Sequence, residues 1–174
     1  MSKLHYNVPT GPIAETATVR LGASGSATNF LRADEGKLVK LAATDQYDLC
    51  VAGDLIEGVV LSTATATSGG FSVGAITAEG RIYATADGLQ ATPGTGTLAV
   101  GDYVVAGTIT ALHTALTAYP KVCKATVQPG DVPANLTAAA AQVRASMYAW
   151  RVVSLFSAGT GAVGTTVVIE RVNC

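Results

Sequence analysis

The chain has 174 residues, enough to bury an ordinary core without disulfide or metal staples. Its 11 basic and 12 acidic residues are evenly scattered, which excludes a basic stripe for nucleic acid, and no apolar run nears the roughly 20 residues of a spanning helix despite a mean hydropathy of +0.38. Only 13% of residues are charged, against about a quarter in a typical soluble domain. The surface is therefore clad in Thr, Ser, Ala and Gly, which suits a protein covered by neighbours and equally a neutral β domain.

Residues 1–30 carry Pro9, Pro12 and a small-residue patch over Gly22 to Thr28, with few large apolar side chains. So little apolar area cannot form a core of its own, and the segment reads as an extended N-terminal arm. In a monomer it would be a loose tail; in an assembly it would lie across a neighbour, with Leu4, Tyr6, Val8, Pro9, Pro12 and Ile13 as the candidate contact residues. The first residues, Met1 to Tyr6, lack the apolar centre of a signal peptide, which points to a cytoplasmic protein.

From Phe30 onward, short apolar runs alternate with Gly-Asp and Gly-rich breaks. The runs are Leu38 to Ala42, Leu49 to Ala52, Leu55 to Leu61, Phe71 to Ile76, Arg81 to Ala86 and Leu98 to Ala106. Runs this short are strands. Polar breaks fall at Asp34 to Gly36, at Asp45 to Asp48 and at Gly53 with Asp54. Glu79 with Gly80 reads as a tight hairpin turn, Asp87 with Gly88 opens a loop, and Gly101 with Asp102 marks a turn or bulge. Ile109 to Ala118 suits a helix or a strand, and Lys121 to Val127 alternates as a strand.

An inserted loop or short helix is expected over 128–146; as a helix it would have Asp131 as its N-cap, Pro133 in its first turn and Ala138 to Arg144 as its body. Met147 to Phe156 and Thr165 to Val172 form a closing hairpin, and Trp150, the only tryptophan, is a core or interface anchor. The expected fold is all-β, a mainly antiparallel sandwich or barrel forming one domain over residues 31–174, with at most one or two short helices. No repeat of fixed period is visible.

The residues offer little for chemistry. Gly159, Gly161 and Gly164 match G-x-G-x-x-G, but a dinucleotide site needs a helix to follow and a Val/Ile/Thr-rich run follows here, so a hairpin loop is expected. His5 and His113 form no ligand-spaced pair, and His113 would need a distant acid to act as a base. Gly22 to Gly25 falls one residue short of a nucleophile elbow. Asp45, Asp48, Asp54 and Glu57 match no calcium loop and read as solvated turn formers. Cys50, Cys123 and Cys174 have no CxxC spacing and are expected as free thiols, the first two buried. No catalytic, cofactor or metal site is expected.

Five segments together carry a resemblance: Glu35 to Leu41 (EGKLVKL), Asp48 to Val60 (DLCVAGDLIEGVV), Gly70 to Gly74 (GFSVG), Gly80 to Ala84 (GRIYA) and Leu98 to Val104 (LAVGDYV). Their order resembles the capsid decoration, or cement, proteins of tailed bacteriophages, over roughly residues 35–106. The resemblance implies a non-enzymatic virion protein on the outer surface of the head, assembled in the host cytoplasm. It would be a homo-oligomer, trimer or dimer, that clamps neighbouring capsomers of the major capsid protein and stabilises the capsid. Alternatives are a minor vertex or fibre-base protein, a carbohydrate-binding β-sandwich, for which the aromatics are not clustered in sequence, and a small hydrolase using His113.

Overall fold

Adjacent apolar residues such as Leu38-Val39 and Val59-Val60 need cover on both faces of a strand, because successive side chains point to opposite sides. The computed structural model describes residues 16–22, 29–43, 46–64, 72–128, 131–132, 134–147, 150–156 and 159–172, and it supplies that cover with two packed barrels.

The first barrel uses β1 (Thr16–Leu21), β2 (Leu38–Ala43), β3 (Gln46–Leu49), β4 (Gly58–Ala64) and β5 (Ser72–Thr77). Around the ring the order is β1-β3-β2-β4-β5, closed by the antiparallel pairing of β5 with β1. Only β1 and β3 run parallel. The second barrel uses β6 (Arg81–Leu89), β8 (Tyr103–Ala106), β9 (Lys121–Lys124), β10 (Trp150–Leu155) and β11 (Thr166–Arg171), with the two-residue β7 (Thr92–Pro93) folded onto the far end of β6. Its sheet order is β11-β10-β8-β9-β6-β7, and β6 also pairs with β11, so its strands close a ring as well. The all-β architecture is thus as expected, in its barrel form.

Leu21, Phe30, Val39, Val60 and Ile76 fill the first barrel. Leu38 and Val59 face the other way and join Cys50 and Ile56 in the larger core of the second barrel, with Ile82, Val122, Trp150 and Ile169. The connection 50–57 is the joint between the barrels. The Gly53 amide donates to the Ala106 carbonyl at 2.8 Å, and the Ala106 amide donates to the Asp54 carbonyl at 2.9 Å. Trp150, fully buried, donates its indole N–H to the Ile56 carbonyl at 3.1 Å. The Arg171 guanidinium donates to the carbonyls of Glu57 and Ala78, both at 3.1 Å.

Several expectations are corrected. Thr16–Leu21, inside the stretch read as an arm, is strand β1 and closes the first barrel; Phe30, at the end of that stretch, is core. Of the polar break read at 45–48, residues 46–48 lie in β3, whose side chains are half-buried and which lies between β1 and β2. The apolar Cys50 to Ala52 form no strand. Glu79 and Gly80 make no hairpin: β5 pairs within one barrel and β6 within the other, and Gly80, at φ +87°, turns the chain between them. β6 continues through Asp87 and Gly88, since the Asp87 carboxylate finds partners inside. Of Leu98 to Ala106 only Tyr103–Ala106 is strand, and Ile109 to Ala118 is neither helix nor strand.

The expected helix exists as α1 (Leu136–Met147), but its cap is Asn135, whose Oδ1 accepts from the Ala138 amide at 2.9 Å. Asp131 closes an earlier turn, accepting from the Gln128 amide at 2.8 Å.

Trp150→Ala should destabilise the protein by about 4 kcal/mol in urea unfolding, and Trp150→Phe by about 1–3 kcal/mol, since it leaves the buried Ile56 carbonyl without its donor. A loss below about 1 kcal/mol for the alanine variant would contradict the joint described above.

Candidate functional site

The candidate arm residues Leu4, Tyr6, Val8, Pro9, Pro12 and Ile13, together with His5, Asp45 and Cys174, lie outside the described residues. Trp150 is a core anchor at the joint. The remaining candidates sit in polar networks that hold connections in place.

The long connection between β8 and β9, residues 107–120, crosses back to the first barrel. Asp34, fully buried, pairs with the buried Lys37 at 2.7 Å. It also accepts from the backbone amides of Leu31 at 2.8 Å and His113 at 2.7 Å, while the Lys37 ammonium donates to the Ala111 carbonyl at 2.5 Å. His113 adopts φ +66°, and its Nε2 donates to the Asn29 carbonyl at 2.6 Å. The buried pair has its hydrogen-bonding capacity met by backbone groups, the condition under which such a pair is tolerated. His113 thus fastens a strap, and the acid near it is already engaged by a lysine.

The strap is tied at its start by Asp87, which accepts from the Thr108 amide at 2.7 Å and faces the Lys121 ammonium at 3.3 Å. Burial pushes the Asp87 carboxyl up, but donation from Thr108 and the Lys121 charge outweigh it and hold the group below its ordinary value. Beside it, burial and then the Asp87 charge push the Cys123 thiol up to about 11. Burial and the Asp54 carboxylate push Cys50 up further. Both thiols are free and buried, as expected, and neither is a thiolate at neutral pH.

The carboxylates that neighbour one another in sequence are separately engaged. Asp48 accepts from Gln46 at 3.1 Å, Asp54 pairs with Lys40 at 2.6 Å, and Glu57 faces Arg171 at 3.9 Å. Among the described residues no three His, Cys, Asp or Glu side chains are grouped to hold a metal ion, and no helix is long and apolar enough to cross a membrane.

Gly159, Gly161 and Gly164 lie in the β10–β11 connection, which leads into a strand. Gly161 packs its α-carbon against the Leu98 carbonyl at φ +63°, where a Cβ would collide. A cavity of about 80 Å³ lies under the strap, bounded by Lys37, Leu49, Thr108 and Tyr119 among others. That space holds a few water molecules, whereas small-molecule sites run to about 300–1,000 Å³.

What the scaffold does present is apolar surface on its connections. Val132 is 93% exposed, Leu136 89% and Val143 60%, all on or just before α1. A second surface feature is a row of rings that the sequence did not disclose. Tyr83 stacks on Tyr119 at 5.2 Å between centroids and meets the half-exposed Phe156 edge-on at 5.6 Å. Strand β6, the strap and the end of β10 bring these residues together. Family models, curated proteins and solved structures were compared with the chain, and none matches.

Because the Asp87 carboxyl is held below its unfolded value, its stabilisation is complete above the ordinary carboxyl range and lost as pH falls through the folded value. The stability gap between the wild type and the D87N variant, read from urea midpoints, should therefore shrink below about pH 4. A gap that stays constant down to about pH 2 would contradict the assignment.

Proposed function

We propose that this protein is a structural component of a tailed-phage virion that binds the outer surface of the head and stabilises the lattice by bridging neighbouring capsomers. It acts as a homo-oligomer, trimer or dimer, against the major capsid protein, without catalysis. A minor protein of a head vertex or fibre base is a reading of the same class.

The observation that carries the proposal is the contrast between a well-buried scaffold and apolar connections. The large core side chains of both barrels are buried, and most of the exposed large apolar side chains among the described residues, Val51, Val100, Val132, Leu136, Val143 and Phe156 among them, lie outside the strands. On and just before α1 the exposed large residues are apolar, and between Val132 and Met147 the only charged residue is Arg144. A surface of this kind suits permanent cover by neighbours. A many-copy lattice then sums weak contacts into firm attachment. The resemblance of residues 35–106 to capsid cement proteins supports the same reading.

The row Tyr119, Tyr83 and Phe156 favours carbohydrate binding as a second reading, since sugars dock on exposed rings. It is the weaker of the two, because Tyr119 covers a face of Tyr83 in the stack.

The direct assay is co-sedimentation with expanded empty heads of tailed phages. Binding is expected, and removal of residues 1–13 should abolish it while leaving the unfolding transition in place. Undiminished binding after that removal would refute the grip assigned to Leu4, Tyr6, Val8, Pro9, Pro12 and Ile13. Removal through residue 30 is a different experiment, since it takes out β1 and should open the first barrel.

A further inference from the structure

The two barrels share more than a strand number. In chain order the strands of the first are β1, β2, β3, β4 and β5, and those of the second are β6, β8, β9, β10 and β11. In each, the first strand pairs antiparallel with the fifth and parallel with the third, the second strand lies between the third and the fourth, and the fourth pairs with the fifth.

The registers coincide residue for residue. In the parallel pairs, Arg20↔Gln46 and Leu21↔Tyr47 correspond to Thr85↔Lys121 and Ala86↔Val122. Between second and third strands, Val39↔Leu49, Lys40↔Asp48 and Leu41↔Tyr47 correspond to Val104↔Lys124, Val105↔Cys123 and Ala106↔Val122. Between second and fourth, Leu38↔Val59 and Val39↔Gly58 correspond to Tyr103↔Arg151 and Val104↔Trp150. Ala17↔Ile76 and Val60↔Ile76 correspond to Ile82↔Ile169 and Val152↔Ile169.

One local irregularity is shared, while the shifts between Leu41 and Ala43 in the first barrel and between Ala86 and Leu89 in the second belong to one barrel each. The fourth strand carries a bulge between Val60 and Ser62 in one barrel and between Val152 and Ser154 in the other. Ahead of the second strand, the Gly36 amide donates to the Val60 carbonyl and the Val60 amide to the Lys37 carbonyl. In the same way, the Gly101 amide donates to Val152 and the Val152 amide to Asp102. The two glycines have φ +93° and +96°.

Barrel closure links strand number, tilt and shear, but it does not dictate a bulge at one strand position or a glycine turn ahead of another. A slip of one residue in any pairing would also turn a whole set of side chains over.

We infer that the chain is a tandem duplication of one five-stranded barrel, and that residues 131–147, with α1, are an addition the barrel does not need. Equivalent positions keep the same residue mainly where the core or a turn demands it: Gly36 and Gly101, Val39 and Val104, Val60 and Val152, Ser62 and Ser154, Ile76 and Ile169. The copies differ in their connections. The link between second and third strands is 44–45 in the first barrel and 107–120 in the second. The latter is the strap fastened by Asp34 and Lys37. The link between third and fourth strands is the eight residues 50–57 in one and the 25 residues 125–149 in the other.

Deleting residues 131–147 removes 17 residues and leaves a link of eight, the length the first barrel uses. The shortened protein should keep its strand signal in circular dichroism and unfold in one transition within a few degrees of the full chain. A failure to fold, or a Tm lowered by more than about 10 °C, would make α1 part of the fold and overturn its status as an addition. The duplication has its own readout, a crystal structure of the full chain. Coincident registers in all five pairings are expected, and an offset of one residue in any of them between the two barrels would overturn it. Neither readout involves phage heads, so the duplication and the capsid proposal fail separately.

Discussion

The hydrogen bond from the Trp150 indole to the Ile56 carbonyl marks the constraint on which the rest depends: two small barrels must share a wall. A barrel of this size has a high ratio of surface to volume and buries too small a fraction of its surface to be secure alone. Leu38, Val59, Ile56 and Cys50 belong to the first barrel in sequence and to the larger core in space. Trp150 occupies the strand position that Gly58 holds in the first barrel. At Gly58 even a Cβ would sit 2.9 Å from the Thr77 carbonyl oxygen, so one barrel supplies a bulky plug and the other a close approach of backbone.

The low charge of the chain acquires a physical reading from where some of its charges go. Asp34, Lys37 and Asp87 are buried, and each holds a connection rather than facing water. Asp34 and Lys37 bind the strap through His113 and Ala111, and Asp87 binds its start through Thr108. A protein with only 13% charged residues that commits several of them to its interior leaves its exterior to small and apolar side chains. Such an exterior is a liability for an isolated monomer and an asset in a lattice.

Much of the fold was legible because glycine and aspartate punctuate short β-branched runs, and strands over Leu38–Ala43, Arg81–Leu89, Trp150–Leu155 and Thr166–Arg171 overlap the runs read from the sequence. The misreadings share a cause. Gln46–Leu49 is polar because its side chains are only half-buried, so its pairing rather than its hydropathy makes it a strand. Asp87 looked like a loop opener because its partners, Thr108 and Lys121, come from distant segments. Thr16–Leu21 looked too small to pack, yet Val19 and Leu21 contribute to the first core while its backbone closes the ring. The duplication escaped notice because unequal connections destroy any fixed period and few equivalent positions keep one residue. Of the sites, Trp150 was legible as the lone tryptophan. The Asp34–Lys37 pair and the row of Tyr83, Tyr119 and Phe156 were not, since they depend on the course of a strap with no regular structure.

Keyed by the Trp150 joint, the two barrels should unfold as one cooperative body. Scanning calorimetry of the intact chain tests this most directly. A single transition is expected, with the calorimetric enthalpy equal to the van't Hoff enthalpy; two resolved transitions, one per barrel, would contradict it.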